Sequence, residues 1–343
     1  MRWHALVLVV GLVSQTPTRT APTEIFSTLG LTSQETASIE AGRAVAKVLP
    51  WGGPSEVYVF GAVHVDGAPE TYLNAARDVS RLRSAPGYLG VGELPDDATV
   101  SDLTPLELEA DDVKALRNCR EGSCDLQLPT ASIQAIRDSV NFSRPDAAEQ
   151  VNVLARHMIV ALLGRYRQGG QRALGEYRDK DHPARVSEAF ETMMKRASVL
   201  PDVIPELRRY LLEYPHAPLL NADSFFFWEK VDFGLKPTIR VNHAVIARGR
   251  TTRGSEYGSV AIKQLYATHY FHTALDVSVC VDDGAAGRAP GFYLLTIKGS
   301  QQEGLTGLKG SILRKVVVDK TRESLERALA SIKRTVEQSS PRS

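Results

Sequence analysis

The sequence lacks an excess of charge of either sign. Its 343 residues include 41 lysines and arginines against 40 aspartates and glutamates, and no run of five or six like charges occurs. Proteins that bind nucleic acid usually concentrate positive charge to meet the phosphates. Nucleic acid is therefore not expected to be a partner. The composition, with 43% hydrophobic and 24% charged residues, is that of a globular protein.

Common catalytic and nucleotide-binding motifs are also missing. No GxSxG, HExxH or SxxK sequence occurs, which removes the usual hydrolase mechanisms. The glycines at 299, 304, 307 and 310 do not have the spacing of a phosphate-binding loop or a dinucleotide fingerprint. We predict a flexible connection there and no cofactor.

Cysteine is scarce, with three in the chain. Cys119 and Cys124 enclose four residues that include Gly122, which can close a tight loop, and we predict a local disulfide. A zinc half-site is the alternative, but no second Cys or His pair lies nearby, so no metal is predicted. Cys280 is expected to be a small buried residue.

Long apolar runs are absent apart from one at the N-terminus. Residues 5–13 are apolar, follow a single arginine, and precede a stretch rich in Thr and Pro. This arrangement is typical of a secretory signal, and the run is too short to span a bilayer as a helix. We predict a signal peptide at residues 1–21 and a periplasmic or secreted protein. Whether the leader is cleaved or kept as an anchor stays open.

The rest of the chain divides into three parts and a tail. Residues 30–128 begin with a capping-box pattern, Thr32 to Glu35, and continue with a strand, a second strand at 55–65 and an amphipathic helix. Residues 131–214 carry helical periodicity and form a predicted helical insertion. Residues 223–338 contain long strands and a closing helix, and residues 339–343 are a tail.

The closing segment determines the fold class. Leu325, Leu329, Ile332 and Val336 form one apolar stripe on a long helix, which needs a sheet to lie against. The strands of 224–298 supply that sheet, and residues 261–283 are interpreted as one long strand. We therefore predict an α+β fold, with a curved antiparallel sheet gripping the C-terminal helix and an inserted helical subdomain.

Taken in order, these elements resemble the START-like or SRPBCC (helix-grip) superfamily. The segments that carry the resemblance are GAVHVDGAPETYLNAARDV (61–79), the strands of 224–298 and the closing helix. The resemblance implies a hydrophobic cavity between sheet and helix, often for lipids, sterols or polycyclic aromatics. The helical block is longer than the family pattern, and the superfamily has no fixed catalytic set to transfer.

Two histidines lie in the stretch ATHYFHTALDVSVCV, residues 267–281. Side chains two apart share one face of a strand. The apolar phase through Leu265 and Phe271 places His269 inward, while Tyr266, Tyr270 and His272 fall on the other face unless a bulge intervenes. Only one of the two histidines is expected in the interior.

Two further polar residues are predicted to point inward from neighbouring strands. His243 lies in the apolar phase of residues 239–247, and Glu229 in that of 225–233. If the strands are sequential neighbours, Glu229, His243 and His269 converge as a metal site or an acid–base cluster. Buried histidines are usually satisfied by a hydroxyl or a backbone carbonyl, so we favour a polar anchor in an apolar pocket.

We therefore predict an exported binder or carrier of a hydrophobic small molecule, lipid-like or aromatic, rather than an enzyme. The predicted ligand-binding residues are Phe225, Phe227, His243, Tyr266, His269, Tyr270, Phe271, Leu325, Leu329 and Ile332. One alternative is an enzyme that uses Glu229, His243 and His269. Another is an envelope scaffold whose helical block docks a partner and whose cavity is filled. Contact with a membrane surface and protein partners stay open.

Overall fold

The structure, a computed structural model, describes residues 22–197, 204–250, 256–282 and 291–339. The predicted signal peptide and residues 340–343 of the predicted tail lie outside these ranges. Within them, no helix is both long and apolar enough to cross a bilayer.

The N-terminal part contains three helices and a pair of strands. The elements are α1 (Pro22–Thr28), α2 (Ser33–Glu40), β1 (Val45–Val48), β2 (Glu56–Asp66) and α3 (Pro69–Arg77). The predicted capping box is confirmed at α2. The Glu35 amide donates to the Thr32 hydroxyl at 3.2 Å, and the Glu35 carboxylate accepts from the Thr32 amide at 2.7 Å. These contacts satisfy amides that have no partner inside the helix.

A mainly helical segment follows β3 (Tyr88–Leu94). Its helices are α4 (Ala110–Leu116), α5 (Thr130–Ser139), α6 (Ala147–Gly169), α7 (Val186–Arg196) and α8 (Pro205–Glu213). Strands β4 (Glu176–Tyr177) and β5 (Ala184–Arg185) form a separate small ribbon. Helices thus occupy the region where an insertion is predicted, and the predicted domain boundaries stay predictions.

Five long strands and one long helix complete the chain. They are β6 (Ala222–Val231), β7 (Thr238–Arg250), β8 (Glu256–Ala267), β9 (Phe271–Asp282), β10 (Gly291–Gln302) and α9 (Gly307–Ser339). The main sheet has eight strands in the order β1-β2-β10-β9-β8-β7-β6-β3, and its pairs are antiparallel. The α+β class and the helix-grip arrangement are confirmed.

The long strand predicted at 261–283 is two strands. β8 ends at Ala267 and β9 begins at Phe271, with a turn between them in which Tyr270 has φ of 64°. The turn contains no Gly, Pro or Asn, the residues that normally signal one. His269 therefore lies in a turn, and the strand alternation used to orient it does not apply.

The two faces of the sheet are covered by different helices. α9 packs on one face, where Leu325 and Leu329 are buried against Val57, Val59 and Val63 of β2. Full burial of one such leucine contributes about 1.5–3 kcal/mol. The other face carries two apolar clusters, one with α1, α2, α7 and α8, and one with α6. The sheet is thus buried on both sides.

Gly61 allows α9 to approach β2 closely. A Cβ atom at this position would lie 2.7 Å from Leu329 Cδ1 and 2.8 Å from Leu325 Cδ2. We expect Gly61→Ala to lower the free energy of unfolding by about 1–3 kcal/mol, because overpacking forces buried side chains to shift. Urea denaturation followed by circular dichroism measures this change.

Gly164 provides the matched control for Gly61→Ala. It lies inside α6, and a Cβ there would meet no atom within 4 Å. Gly164→Ala is expected to raise the free energy of unfolding by up to about 1 kcal/mol, since alanine is the better helix former. Equal effects of the two substitutions would contradict the close approach of α9 at Gly61.

Candidate functional site

A cavity of about 90 Å³ lies between the sheet and helices α5 and α6. Most of its lining is aliphatic: Leu106, Leu108, Leu116, Leu126, Leu128, Ile136, Val151, Ala155, Met158, Ile159, Leu162, Leu174, Ile239 and Leu265. Protein interiors are close-packed and contain few voids larger than a water molecule. A cavity of this size and composition can accept an apolar group.

Helix α6 supplies one wall because its apolar residues recur at helical spacing. Val151, Ala155, Met158 and Leu162 follow one another at intervals of four, three and four residues and line the cavity. Ala155, Met158 and Leu162 are only half-buried, whereas the α6 residues that belong to the apolar cluster on the sheet are buried. The cavity therefore reaches the surface along this side of α6.

A bulge in the sheet supplies the opposite wall. The register between β7 and β8 shifts between Val241 and Asn242. Two consecutive residues of β8, Leu265 and Tyr266, consequently both line the cavity. A regular strand would have directed one of them to the other face of the sheet.

The disulfide predicted between Cys119 and Cys124 is present, with a Cα–Cα separation of 4.5 Å. Both cysteines are buried in a small apolar cluster with Leu116, Leu126 and Leu128, which line the cavity. The disulfide thus holds the segments that form this wall. Cys280 is buried, as predicted, with its pKa raised by burial.

The polar groups of the cavity divide between its mouth and its interior. Arg165 is exposed and Ser132 half-buried at the mouth. In the interior, the rings of Tyr177 and Tyr266 meet edge to face with centroids 6.1 Å apart. Burial raises the pKa of both phenols, so both remain protonated and neutral. The interior therefore carries no charged group from these residues.

His243 lies on the same face of the sheet as the cavity, fully buried beneath α6 and α8. Its Nδ1 is 3.1 Å from the Tyr166 hydroxyl, and its Nε2 is 2.8 Å from the Ser224 hydroxyl. Ser224 in turn accepts a hydrogen bond of 3.0 Å from Tyr210. Burial, and secondarily the nearby Lys263 and Arg167, lower the pKa of His243 to about 3. The ring is therefore neutral at pH 7.

The contact between Ser224 and His243 has the spacing of a nucleophile and its base. A general base works best when its pKa lies near the working pH. Protonation of His243 would create a cation in a desolvated site that already has Lys263 and Arg167 nearby. The hydroxyl partners agree instead with the interpretation of His243 as a satisfied polar anchor.

His269 is held by the segment around the disulfide. Its Nε2 is 3.0 Å from the Asp112 carboxylate and its Nδ1 is 3.1 Å from the Asp125 carbonyl oxygen. Lys236 Nζ lies 3.8 Å from the same carboxylate. These contacts fasten the turn between β8 and β9 to the chain that forms the cavity wall.

Glu229 does not share a face with His243. In the register of β6 and β7, Phe226 is opposite His243, whereas Glu229 is opposite Arg240. The Glu229 carboxylate accepts from the Asn242 amide at 3.1 Å and lies 3.3 Å from Arg240 Nε, on the side of the sheet that α9 covers. The predicted convergence of Glu229, His243 and His269 therefore does not occur.

No group of three or more His, Cys, Asp or Glu residues is arranged to hold a metal ion in the described ranges. The structure also shows where the predicted ligand-binding residues lie. Phe225, Phe227, Leu325 and Leu329 belong to the core under α9, and Ile332 is half-buried beside it. Tyr270 and Phe271 lie at the turn, where the ring of Phe271 packs on that of Phe233 with the two centroids 5.1 Å apart. Tyr266 belongs to the predicted set and lines the cavity, and the binding role of the set stays a prediction.

Sequence reasoning missed most of the cavity. Met158 and Leu162 of α6 were identifiable as an apolar helical stripe, but such a stripe predicts packing and not a void. Leu106 and Leu126 lie in irregular segments without periodicity. Nothing in the sequence distinguished Arg165 from other charged residues on the exposed side of that stripe.

Comparisons with known proteins assign no family. No protein-family model and no curated protein matches the chain. Among solved structures, a START superfamily protein from Mycobacterium smegmatis is 12% identical with a TM-score of 0.21, over 34% of this chain and 66% of that one. Ara h 8.0201 is 8% identical with a TM-score of 0.15, over 43% of this chain and 90% of that one. At these values neither match carries an argument about function.

Proposed function

We propose that the protein binds and carries a small hydrophobic molecule, with an apolar part of that molecule inside the cavity between the sheet, α5 and α6. The observation that supports this function is the aliphatic cavity of about 90 Å³ that reaches the surface beside Ala155, Met158 and Leu162. Ligand sites are concave and mostly apolar, with a few placed polar groups. The proposed place of action is outside the cytoplasm, from the leader pattern and the disulfide.

The interface between the sheet and α9, where the resemblance implies a cavity, stays a second candidate for the ligand. The amide oxygens of Asn242 and Gln264 are buried there without a hydrogen-bond partner among the described residues. The two residues are neighbours across β7 and β8. A bound polar group or water would satisfy these oxygens, whose burial otherwise costs free energy. This observation supports a bound polar group or a water on that side.

The enzyme and scaffold alternatives have less support. An enzyme that uses Glu229, His243 and His269 would need them in one site, and Glu229 lies across the sheet from His243. A scaffold requires a filled interior, which the cavity beside α6 does not favour. A carrier is therefore the function we put to the test.

Methyl-labelled methionine gives a direct test of binding in the cavity. The chain has four methionines, of which Met158 lines the cavity, whereas Met193 and Met194 are buried in the cluster under α7. We expect 1-octanol to shift the Met158 methyl resonance in a saturable way and to leave Met193 and Met194 in place. A Met158 resonance that does not respond would overturn the proposed function.

Substitution at the cavity wall provides the second arm of this test. Ala155→Phe is expected to weaken octanol binding by about tenfold or more, because the added ring occupies the cavity. Ala161→Phe is the control, since Ala161 is exposed on α6 and does not line the cavity. Equal affinities in the two variants would place the ligand elsewhere.

A further inference from the structure

We propose that the ligand is a single-chain aliphatic anion, whose chain enters the cavity beside α6 and whose charged head lies against Arg165. This inference rests on the proposed function and adds the chemical class of the ligand. It excludes sterols and polycyclic aromatics from this cavity, and it assigns Arg165 as the residue that recognises charge.

The size of the cavity favours a linear chain over a ring system. Its volume is about 90 Å³, whereas an engineered cavity that binds benzene has about 150 Å³. A fused ring system is larger still and needs one wide space. A linear alkyl chain is narrow and can place its end in the cavity while the rest extends through the mouth. The structure therefore fits a tail of single-chain width.

The charge at the mouth is positive. Among the described residues that line the cavity, the only charged side chain is Arg165, and no Asp or Glu is present. The interior is aliphatic with neutral phenols, so a charged head cannot be stabilised inside. When the tail of an anion is bound in the cavity, its head can therefore pair with one cation of the lining, Arg165, at the mouth.

Arg165 differs from the two other arginines of α6. Arg156 is 3.5 Å from Glu149, and Arg167 donates to the Pro95 carbonyl oxygen at 2.7 Å. Arg165 has neither an ion pair nor a hydrogen bond from its side chain to another described residue. Its guanidinium, with donors in a planar fork, can bind a carboxylate or a sulfate through two parallel hydrogen bonds.

The expected strength of head-group recognition is modest. An exposed ion pair contributes little in water, so the chain supplies most of the affinity and the head sets a preference. For chains of equal length we expect an anionic head to bind about threefold or more tightly than a cationic one. Salt at about 1 M should remove most of this preference, because the contact is exposed.

Four ligands with the same chain test the inference: octanoate, octyl sulfate, 1-octanol and octylammonium. Titrations followed at the Met158 methyl are expected to show octanoate, octyl sulfate or both binding more tightly than octylammonium. Arg165→Glu should reverse this order, with a much smaller effect on 1-octanol than on the two anions. Arg209→Glu, on the exposed side of α8 and away from the lining, is the control and should keep the wild-type order.

The outcomes separate the two proposals. If 1-octanol binds but neither octanoate nor octyl sulfate binds more tightly than octylammonium, or if Arg165→Glu leaves the order of anion and cation unchanged, the anionic ligand is overturned and the carrier function stands. If none of the four ligands moves the Met158 resonance, the carrier function itself fails. Tight binding of octanoate alone would show that the site recognises a carboxylate head. Tight binding of both anions would show that it accepts any compact anionic head. Each result supports the inference.

Discussion

Acidification from about pH 6.5 to pH 4.5 is expected to remove about 3 kcal/mol of stability through His243 alone. The pKa of His243 is lowered by burial from 6.5 to about 3 in the folded protein. The unfolded chain therefore takes up a proton below about pH 6.5, whereas the folded chain does not until about pH 3. Stability from this group is complete above pH 6.5 and is lost progressively as the pH falls towards 3.

His243→Gln isolates this contribution. Urea denaturation at a series of pH values gives the free energy of unfolding of the wild type and the variant. The advantage of the wild type over the variant should shrink by about 1.4 kcal/mol for each pH unit below 6.5. The comparison is needed because other groups titrate as well. Burial raises the pKa of Asp179 to about 6. The protonation of this carboxyl therefore increases the stability of the folded protein as the pH falls through 6.

The control for His243 removes an imidazole from the surface. His157 is exposed on α6, and His157→Gln should keep the pH dependence of the wild type. Parallel stability curves for the wild type and His243→Gln would show that His243 takes up a proton in the folded state. In that case its contacts with Tyr166 and Ser224 would not hold the neutral ring.

Replacement of Lys263 is expected to stabilise the protein at pH 7. The Lys263 side chain is fully buried, donates one hydrogen bond of 3.1 Å to the Leu211 carbonyl oxygen, and lies 4.1 Å from the centre of the Phe190 ring. Burial lowers its pKa well below 10.5. The unfolded chain binds the proton below about pH 10.5, so folding at neutral pH requires either loss of that proton or burial of a cation.

Lys263→Met removes this cost and keeps an unbranched chain in the core. We expect the variant to be more stable by about 1–4 kcal/mol at pH 7, even though the Leu211 carbonyl loses its donor. Because the cost disappears as the pH approaches 10.5, the gain should shrink towards pH 10. Denaturation by urea at pH 7 and at about pH 9.5 measures both effects.

Lys195 is the matched control for Lys263. It is exposed on α7, and Lys195→Met should change stability by less than about 0.5 kcal/mol at either pH. A Lys263→Met variant that is less stable at pH 7 would show the opposite of our expectation. The ammonium would then be held in its charged form by the Leu211 carbonyl at the end of α8 and by the Phe190 ring.

Local features of the fold could be predicted from the sequence. The capping box at Thr32 and the period-two strand at 55–65 depend on residues close together in the chain, and both are present. The disulfide between Cys119 and Cys124 is local for the same reason. The stripe through Leu325 and Leu329 required a sheet, and α9 packs on one.

The relative positions of Glu229, His243 and His269 could not be predicted because they depend on how the strands are paired. The alternation of β6 and of β7 was correct within each strand, but pairing Phe226 with His243 places Glu229 on the other face. A shift of one residue between strands exchanges every side chain between faces, and the sequence of one strand does not specify it. The positive φ of Tyr270 had no signal either, so the turn that holds His269 was interpreted as strand.

The strand order also constrains the sequence of assembly. β6 to β9 are neighbours both in the chain and in the sheet, so they can pair as soon as they are synthesised. β2 instead pairs with β10, where Val57 lies opposite Ser300, and this contact closes a loop that contains most of the chain. Contacts so distant in sequence form slowly. A chain interrupted before Gly291 leaves the facing edges of β2 and β9 unpaired, and open edges of this kind promote association between molecules.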